Sequence, residues 1–211
     1  MFVLKLVLVI VVSYLLGNIS TGTLIARKVG KIDIRKVGSG NAGTTNVLRT
    51  LGWVPSLLTL LGDALKGVAA ALLGWWLCGH VGMLAAGLAA IVGHDWPVLF
   101  GFKGGKGIAT SFGVIMVINP WIGLTLLASV IVIIAITRYM SVASIFASVE
   151  YSVLMIFTYM HHEEATMYIA FALVFSALAL FSHRSNIQRL LHHEENRLDF
   201  AKINKISRKQ K

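Results

Sequence analysis

Charge is scarce in this chain, and acid is scarcer. Of its 211 residues only 13% are Asp, Glu, Lys or Arg, and nine of them are acidic, against 56% hydrophobic. A soluble domain needs far more charge to cover its surface. The scarcity therefore excludes an ordinary water-soluble protein and leaves a small integral membrane protein. Cysteine occurs once, at Cys78, which excludes an intramolecular disulfide and reads as a buried apolar residue. There is no internal repeat and no low-complexity linker.

The basic residues outnumber the acidic ones and give a formal net charge of +10. In a chain this apolar the positive-inside rule accounts for that excess, with attraction to anionic headgroups added to it. Nucleic acid is not the expected partner. Lys5 followed by an apolar run has the outline of a signal peptide, but the run continues to Ile25 with no small-residue cleavage site after it. It reads as a retained first span.

Apolar segments fall at 3–25, 53–78, 81–100, 108–118, 121–137, 142–160 and 165–182. The doubtful stretch is 108–137, interrupted by Asn119-Pro120, where proline removes a helix donor and disfavours helix before it. Charge placement decides for two segments. With seven spans one side carries Arg27, Lys28, Lys31, Arg35, Lys36 and Arg49, then Lys103 and Lys106, then Arg138. The same side carries Arg184, Arg189, Arg197, Lys202, Lys205, Arg208, Lys209 and Lys211 of the tail. The opposite connections hold no Lys or Arg. The expectation is an all-α bundle of seven transmembrane helices forming one membrane-embedded domain over 1–211, with the N-terminus outside and the C-terminus cytoplasmic. The segment 108–118 is too short to cross alone and fits a half-span inside the bundle. The tail from 187 to 211 reads as a short interfacial helix that frays.

Four polar clusters fall on the basic side. The first runs Gly38-Ser39-Gly40-Asn41-Ala42-Gly43-Thr44-Thr45-Asn46-Val47-Leu48-Arg49. It can offer backbone N–H groups, hydroxyls and a bidentate guanidinium to a phosphate. A turn leading into an N-capped helix near Thr44 explains the same residues. The second is Asp63 and Lys66, three apart on one helical face inside an apolar segment. An intramembrane ion pair marks either function or helix packing. The third is Lys103-Gly104-Gly105-Lys106-Gly107, preceded by His94 and Pro97. Its glycines let N–H groups crowd an anion. It is not a nucleotide P-loop: Phe100 stands where the first Gly before Lys106 is required, and Gly107 rather than Ser or Thr follows the lysine. His94 and Pro97 suit the shaping of a helix end. The fourth is His183, Asn186 and Arg189, with Glu195 later. His183 suits a general base, and helix-end anchoring explains the same residues. His161-His162-Glu163-Glu164 and His192-His193-Glu194-Glu195 resemble metal ligands, but adjacent helical residues point apart, so no metal is expected.

These motifs in this order resemble the bacterial membrane acyl-phosphate:glycerol-3-phosphate acyltransferases, the PlsY family, over nearly the whole chain. Ser39 to Arg49 is similar to the family's Ser-Gly-Asn-x-Gly-x-x-Asn-x-x-Arg. Gly93 to Gly107 is similar to its Gly-His-x-x-Pro-x-Phe-x-x-Phe-x-Gly-Gly-Lys-Gly, with Leu99 in place of the first Phe or that Phe shifted by one. His183, Asn186, Arg189, Leu190 and Glu195 are similar to its His-x-x-Asn-x-x-Arg-Leu-x-x-Gly-x-Glu. Here His193 stands where that motif has glycine, a departure at the turn before Glu195. Arg138 to Ile145, which includes Ser141, and Asp63 to Gly67 are family-like as well.

The resemblance implies transfer of an acyl group from a long-chain acyl phosphate to the 1-hydroxyl of sn-glycerol 3-phosphate. It implies lysophosphatidic acid and phosphate as products, in the first acylation of phospholipid synthesis. It implies no cofactor, a site facing the cytoplasm at a bacterial cell membrane, and association with the soluble acyltransferase that makes the acyl phosphate. Ser39, Arg49, His183 and Asn186 become candidates for the chemistry. Gly40, Asn41, Gly43, Thr44, Thr45, Asn46, Lys66, Lys103, Gly104, Gly105, Lys106, Gly107, Ser141 and Arg189 become candidates for substrate and phosphate binding. Asp63, His94 and Glu195 become structural, with Glu195 paired to a basic residue. A transporter of a phosphorylated small molecule is the alternative. It would need polar residues on both sides, and the outer connections are short and poor in them.

Overall fold

A computed structural model describes residues 1–208. Lys209 and Lys211, counted above with the basic tail, lie outside the described residues. Among these residues every regular element is helical. Two compact units are present: Met1–Val114 together with the tail from Asp199, and Ile115–Leu198. Five helical stretches are long and apolar enough to cross a membrane: Phe2–Val29, Trp53–Phe100, Pro120–Thr137, Met140–Tyr159 and Ala165–Ser182. Their exposed side chains are largely Leu, Ile, Val and Phe, as a surface against lipid requires. Trp121, 76% exposed, stands at the start of Pro120–Thr137, and Trp76, 80% exposed, stands just before the helix break at Cys78–Gly79, the kind of end position where membrane proteins place tryptophan.

In the first unit the single span expected over 3–25 is two helices, α1 (Phe2–Gly17) and α2 (Thr21–Val29). The break has a local cause. The Asn18 amide donates to Tyr14 O at 2.7 Å, and Ser20 Oγ donates to Thr23 Oγ1 at 2.8 Å. The Asn18 side chain thus adds a second donor to Tyr14 O beside the Asn18 backbone N–H at 3.0 Å, and local side-chain bonds of this kind compete with helix continuation. After α3 (Thr44–Leu51) comes α4 (Trp53–Asp95), which holds two helical arms. Cys78 and Gly79 leave the helical region between them, and Gly79, at φ +61°, takes a left-handed conformation that glycine adopts without strain. The arms come close enough that a Cβ on Gly74 would strike the Gly82 backbone. The second arm ends at Asp95 rather than 100. Small residues also bring α1 onto α4, with Gly17 on the Ala90 backbone, and α5 (Ile108–Ile118) onto α4, with Gly67 on the Thr110 backbone. Close backbone approach through glycine is how membrane helices gain contact when lipid competes for every apolar side chain.

The second unit holds α6 (Pro120–Thr137), α7 (Met140–Tyr159), α8 (Ala165–Ser182) and α9 (Arg184–Leu191). The break before α6 falls at Asn119-Pro120. Proline opens the helix, and Asn119 caps it by accepting from the Trp121 and Ile122 amides at 3.1 and 3.2 Å. Between α7 and α8 a ladder of Ser148, Ser152 and Ser176 joins the helices through hydroxyls and carbonyls. The tail expected to fray as one interfacial helix is instead α9 in this unit and a separate α10 (Phe200–Arg208) docked in the first. Ile203 is the side chain that α10 buries.

Candidate active site

In the first unit three of the four polar clusters meet. The loop before α3 is built around Asn46. Its amide nitrogen reaches the carbonyls of Ile34, Val37 and Asn41 at 3.0, 2.9 and 2.9 Å. Its Oδ1 accepts from the Ser39 amide at 3.1 Å. Asn46 therefore serves as the loop's internal staple and not, as expected, as a phosphate ligand: its donors are already used. The same holds for backbone donors assigned to an anion. The amides of Gly40 and Gly43 donate to Val37 O and Asn41 Oδ1. Asn41 is likewise engaged within the loop. What the loop keeps on its surface is Ser39, with Thr44 and Thr45 half-buried at the head of α3, where first-turn amides have no helical acceptor. The Thr44 hydroxyl is buried without a protein partner.

Arg35, counted only as a positive charge in the sequence, ties this loop to the next cluster. Its guanidinium pairs with Asp33 at 2.8 Å and donates to Phe100 O at 3.2 Å, while lying over the Phe100 ring. The hydrogen bond from Arg35 is the largest influence on the Asp33 carboxyl, and it holds the pKa down at about 2. Ala42 N–H also reaches Gly104 O at 3.4 Å. The first and third motifs are thus neighbours across about 60 positions of chain, which spacing along the sequence does not reveal.

The Gly104–Gly107 turn wraps the end of α4. Gly105 N–H donates to His94 O at 3.0 Å, and a Cβ on Gly105 would fall on the His94 ring. A Cβ on Gly104 would strike His94 O, and Gly107 takes φ +68° beside Asp95. These three glycines are needed so that the turn can press on His94 and Asp95. Lys103 projects exposed from the turn and Lys106 is half-buried.

Lys66 was expected to bind substrate. It is 5% exposed, and its ammonium donates to Gly17 O at 3.0 Å and Ile19 O at 2.7 Å, with Asp63 Oδ1 and His94 Nδ1 each 2.8 Å away. The two carbonyls and His94 Nδ1 take up its three protons, with the Asp63 carboxylate as ion-pair partner, so no ammonium proton is left for a ligand. Two of those acceptors are carbonyls freed by the break between α1 and α2. The pair Asp63–Lys66 fastens that break to the His94 end of α4. Tyr14 and Asn18, which sequence reasoning missed, complete the fastening. Tyr14 Oη donates to Trp96 O at 2.8 Å, and Asn18 Oδ1 accepts from Leu99 N–H at 3.1 Å. Only their polarity at the end of an apolar run marked them.

The fourth cluster lies in the second unit. His183 is 3% exposed, and its Nδ1 is 2.8 Å from Ala179 O. A carbonyl only accepts, so Nδ1 carries a proton. Glu195 accepts from Ser141 Oγ at 3.0 Å, Asn186 Nδ2 at 2.8 Å and Arg189 Nε at 2.8 Å. Burial pushes the Glu195 carboxyl up, but the three donors outweigh it and hold it below the usual range. Glu195 thus joins three residues that the sequence marked as candidates for chemistry or substrate binding: Ser141, Asn186 and Arg189. The turn before Glu195 survives the missing glycine. His193 takes φ +59° itself, with Glu194 N–H on Arg189 O at 2.7 Å and His193 N–H on Leu190 O at 3.2 Å. That bond pair is the Schellman closure of a helix end.

A family model described as glycerol-3-phosphate acyltransferase matches residues 7–193. A glycerol-3-phosphate acyltransferase of Thermoanaerobacter pseudethanolicus is 44% identical over 91% of this chain and 95% of its own. One from Clostridioides difficile is 43% identical over 94% and 98%, and one from Desulforudis audaxviator 45% over 96% and 100%. The fold is similar to the crystal structure of PlsY (YgiH), an integral membrane glycerol 3-phosphate acyltransferase, in its glycerol 3-phosphate form. The TM-score is 0.85, with 38% identity over 94% of this chain and 98% of that one. The lysophosphatidic acid form of the same protein gives 0.83 and 36%, over 94% and 97%.

Proposed function

Because the chain belongs to the glycerol-3-phosphate acyltransferase family, and so is a membrane-embedded acyltransferase of phospholipid synthesis, we propose the following reaction for it. A long-chain acyl phosphate acylates the 1-hydroxyl of sn-glycerol 3-phosphate, giving lysophosphatidic acid and inorganic phosphate. The observation that carries this reading is the meeting of the Ser39–Arg49 loop with the Gly104–Gly107 turn through Arg35 and Ala42. That meeting gathers Arg49, Lys103 and Lys106 in one unit, the cations that two anionic substrates require. The similar protein solved with glycerol 3-phosphate supports the acceptor.

The roles follow from the chemistry of these side chains and from the motifs the chain shares with the family. Arg49, Lys103 and Lys106 take phosphate charge, helped by Ser39, Thr44 and Thr45. By its imidazole chemistry His183 is the base for the glycerol hydroxyl, and Asn186, whose amide also donates to Glu195, supports the oxyanion of the attacked carbonyl. Phosphate is a good leaving group and needs no acid. We further propose seven crossings with the N-terminus outside and the site facing the cytoplasm. The breaks at Cys78–Gly79 and Asn119–Pro120 support that count, as does the one-sided placement of basic residues. A soluble acyl-phosphate-producing acyltransferase is the proposed supplier of donor.

The test is purified protein in detergent with palmitoyl phosphate and glycerol 3-phosphate, following free phosphate, beside a palmitoyl-CoA control. The reading expects release that needs both substrates, is absent with the thioester and falls at least ~100-fold in Arg49→Ala, as loss of one charge-stabilising donor does. No release from well-folded protein, or equal turnover with palmitoyl-CoA, overturns it.

A further inference from the structure

The family match ends at residue 193, and α10 lies beyond it. This helix is joined to the start of α4 at three points. The Trp53 amide donates to Ser207 Oγ at 3.1 Å, and the Trp53 indole donates to Asn204 Oδ1 at 2.8 Å. The rings of Trp53 and Phe200 stack, 6.2 Å between centroids and 5° between planes. Gly52 stands at the N-cap of α4 and has no side chain to cap with. A Cβ there would strike Ser207, so the Ser207 hydroxyl supplies from α10 the cap that Gly52 lacks.

The opposite face of α10 is basic. Lys202, Lys205 and Arg208 recur every three residues, all exposed, and so share one side of the helix. The depth of this side relative to a bilayer follows from α4. Trp53, Val54 and Leu57, at its first turns, are 44%, 68% and 54% exposed, an apolar surface that faces lipid. Tryptophan at the first turn of a span marks the membrane–water interface. A helix stacked on that tryptophan lies at headgroup level, where a lysine and arginine stripe meets lipid phosphates.

We propose that α10 is a headgroup-docking helix. Lys202, Lys205 and Arg208 bind anionic phospholipid at the membrane surface, and that contact holds the helix against Gly52 and Trp53. The occupant is lipid rather than a free anion, because the stripe is presented at the depth of the interface and not in a closed pocket.

The test is hydrogen–deuterium exchange on the full-length protein in nanodiscs at low ionic strength, phosphatidylcholine alone against phosphatidylcholine with phosphatidylglycerol. Each basic residue near an anionic surface strengthens docking about fivefold. Exchange of the amides over 200–208 should therefore slow at least ~10-fold with phosphatidylglycerol, and the slowing should vanish at high salt. The variant K202Q/K205Q/R208Q should exchange as the parent does in phosphatidylcholine and lose the response to phosphatidylglycerol. Equal exchange in the two lipids, or a variant that responds like the parent, overturns the proposal. So does inorganic phosphate that slows exchange equally in phosphatidylcholine discs. None of these readouts involves acyl transfer, so they stand or fall apart from the proposed reaction.

Discussion

Nδ1 of His94 lies 2.8 Å from the ammonium of Lys66, inside the protein. An ammonium only donates, so this nitrogen accepts, and the His94 proton sits on Nε2, the ring edge against Gly105. One buried cation thereby fixes the orientation of a histidine, and the histidine supports the glycine turn that carries Lys103 and Lys106. The route runs from the α1–α2 break, through Lys66 and His94, to the turn.

Lys66→Met should therefore cost stability more than chemistry. It leaves the Asp63 carboxylate buried and two carbonyls without donors, a loss of about 3–5 kcal/mol. The double change Asp63→Asn with Lys66→Met should recover part of this. Thermal unfolding in detergent measures both, and a single variant within ~0.5 kcal/mol of the parent would contradict the fastening role.

Gly105→Ala places a methyl on the His94 ring, and the backbone on both sides is tied by the Gly105–His94 hydrogen bond. Overpacking of this kind costs about 1–3 kcal/mol. Acyl transfer should fall together with stability. Full activity in the variant would show that the turn can move without consequence.

His193→Gly should stabilise the protein by up to ~1 kcal/mol, because a left-handed conformation strains a residue with a Cβ. Glycine's freedom in the unfolded chain offsets part of that. His193→Val should do the reverse. A drop in unfolding temperature for the glycine variant would mean that the His193 side chain contributes contacts worth more than the strain.

The Glu195 hub gives a signed pH dependence. Its folded-state pKa lies below the ordinary 4.5, so the unfolded chain takes up the proton first. Its contribution is complete above that ordinary value and is lost as pH falls through the lowered one. Exchange of the α9 amides should quicken across that acid range in the parent and change less in Glu195→Gln. Identical profiles would remove Glu195 as the cause.

Much of the site was legible because its residue types are out of place in an apolar chain. Asp63 and Lys66 inside a span, and three polar motifs all on the basic side, mark the positions that matter. What each does was not legible. Asn46 and Arg189 look like ligands by type, yet their hydrogen bonds go to three carbonyls and to Glu195. Hydrogen-bond partners are a matter of which backbone passes nearby, and periodicity holds no record of that. Arg35 was invisible for the same reason: its acceptor, Phe100 O, is 65 residues away.

The sequence by itself determined the class of environment and the all-helical character, with the break at Asn119–Pro120, because hydropathy and proline chemistry act locally along the chain. It also announced the family through motifs. Tertiary structure alone decided that the first apolar run breaks at Asn18, that Lys66 is spent on the break, and that the last helix returns to cap α4 at Gly52. Each of these turns on a donor finding an acceptor far along the chain, and burial makes an unmet donor or acceptor costly enough to select one arrangement.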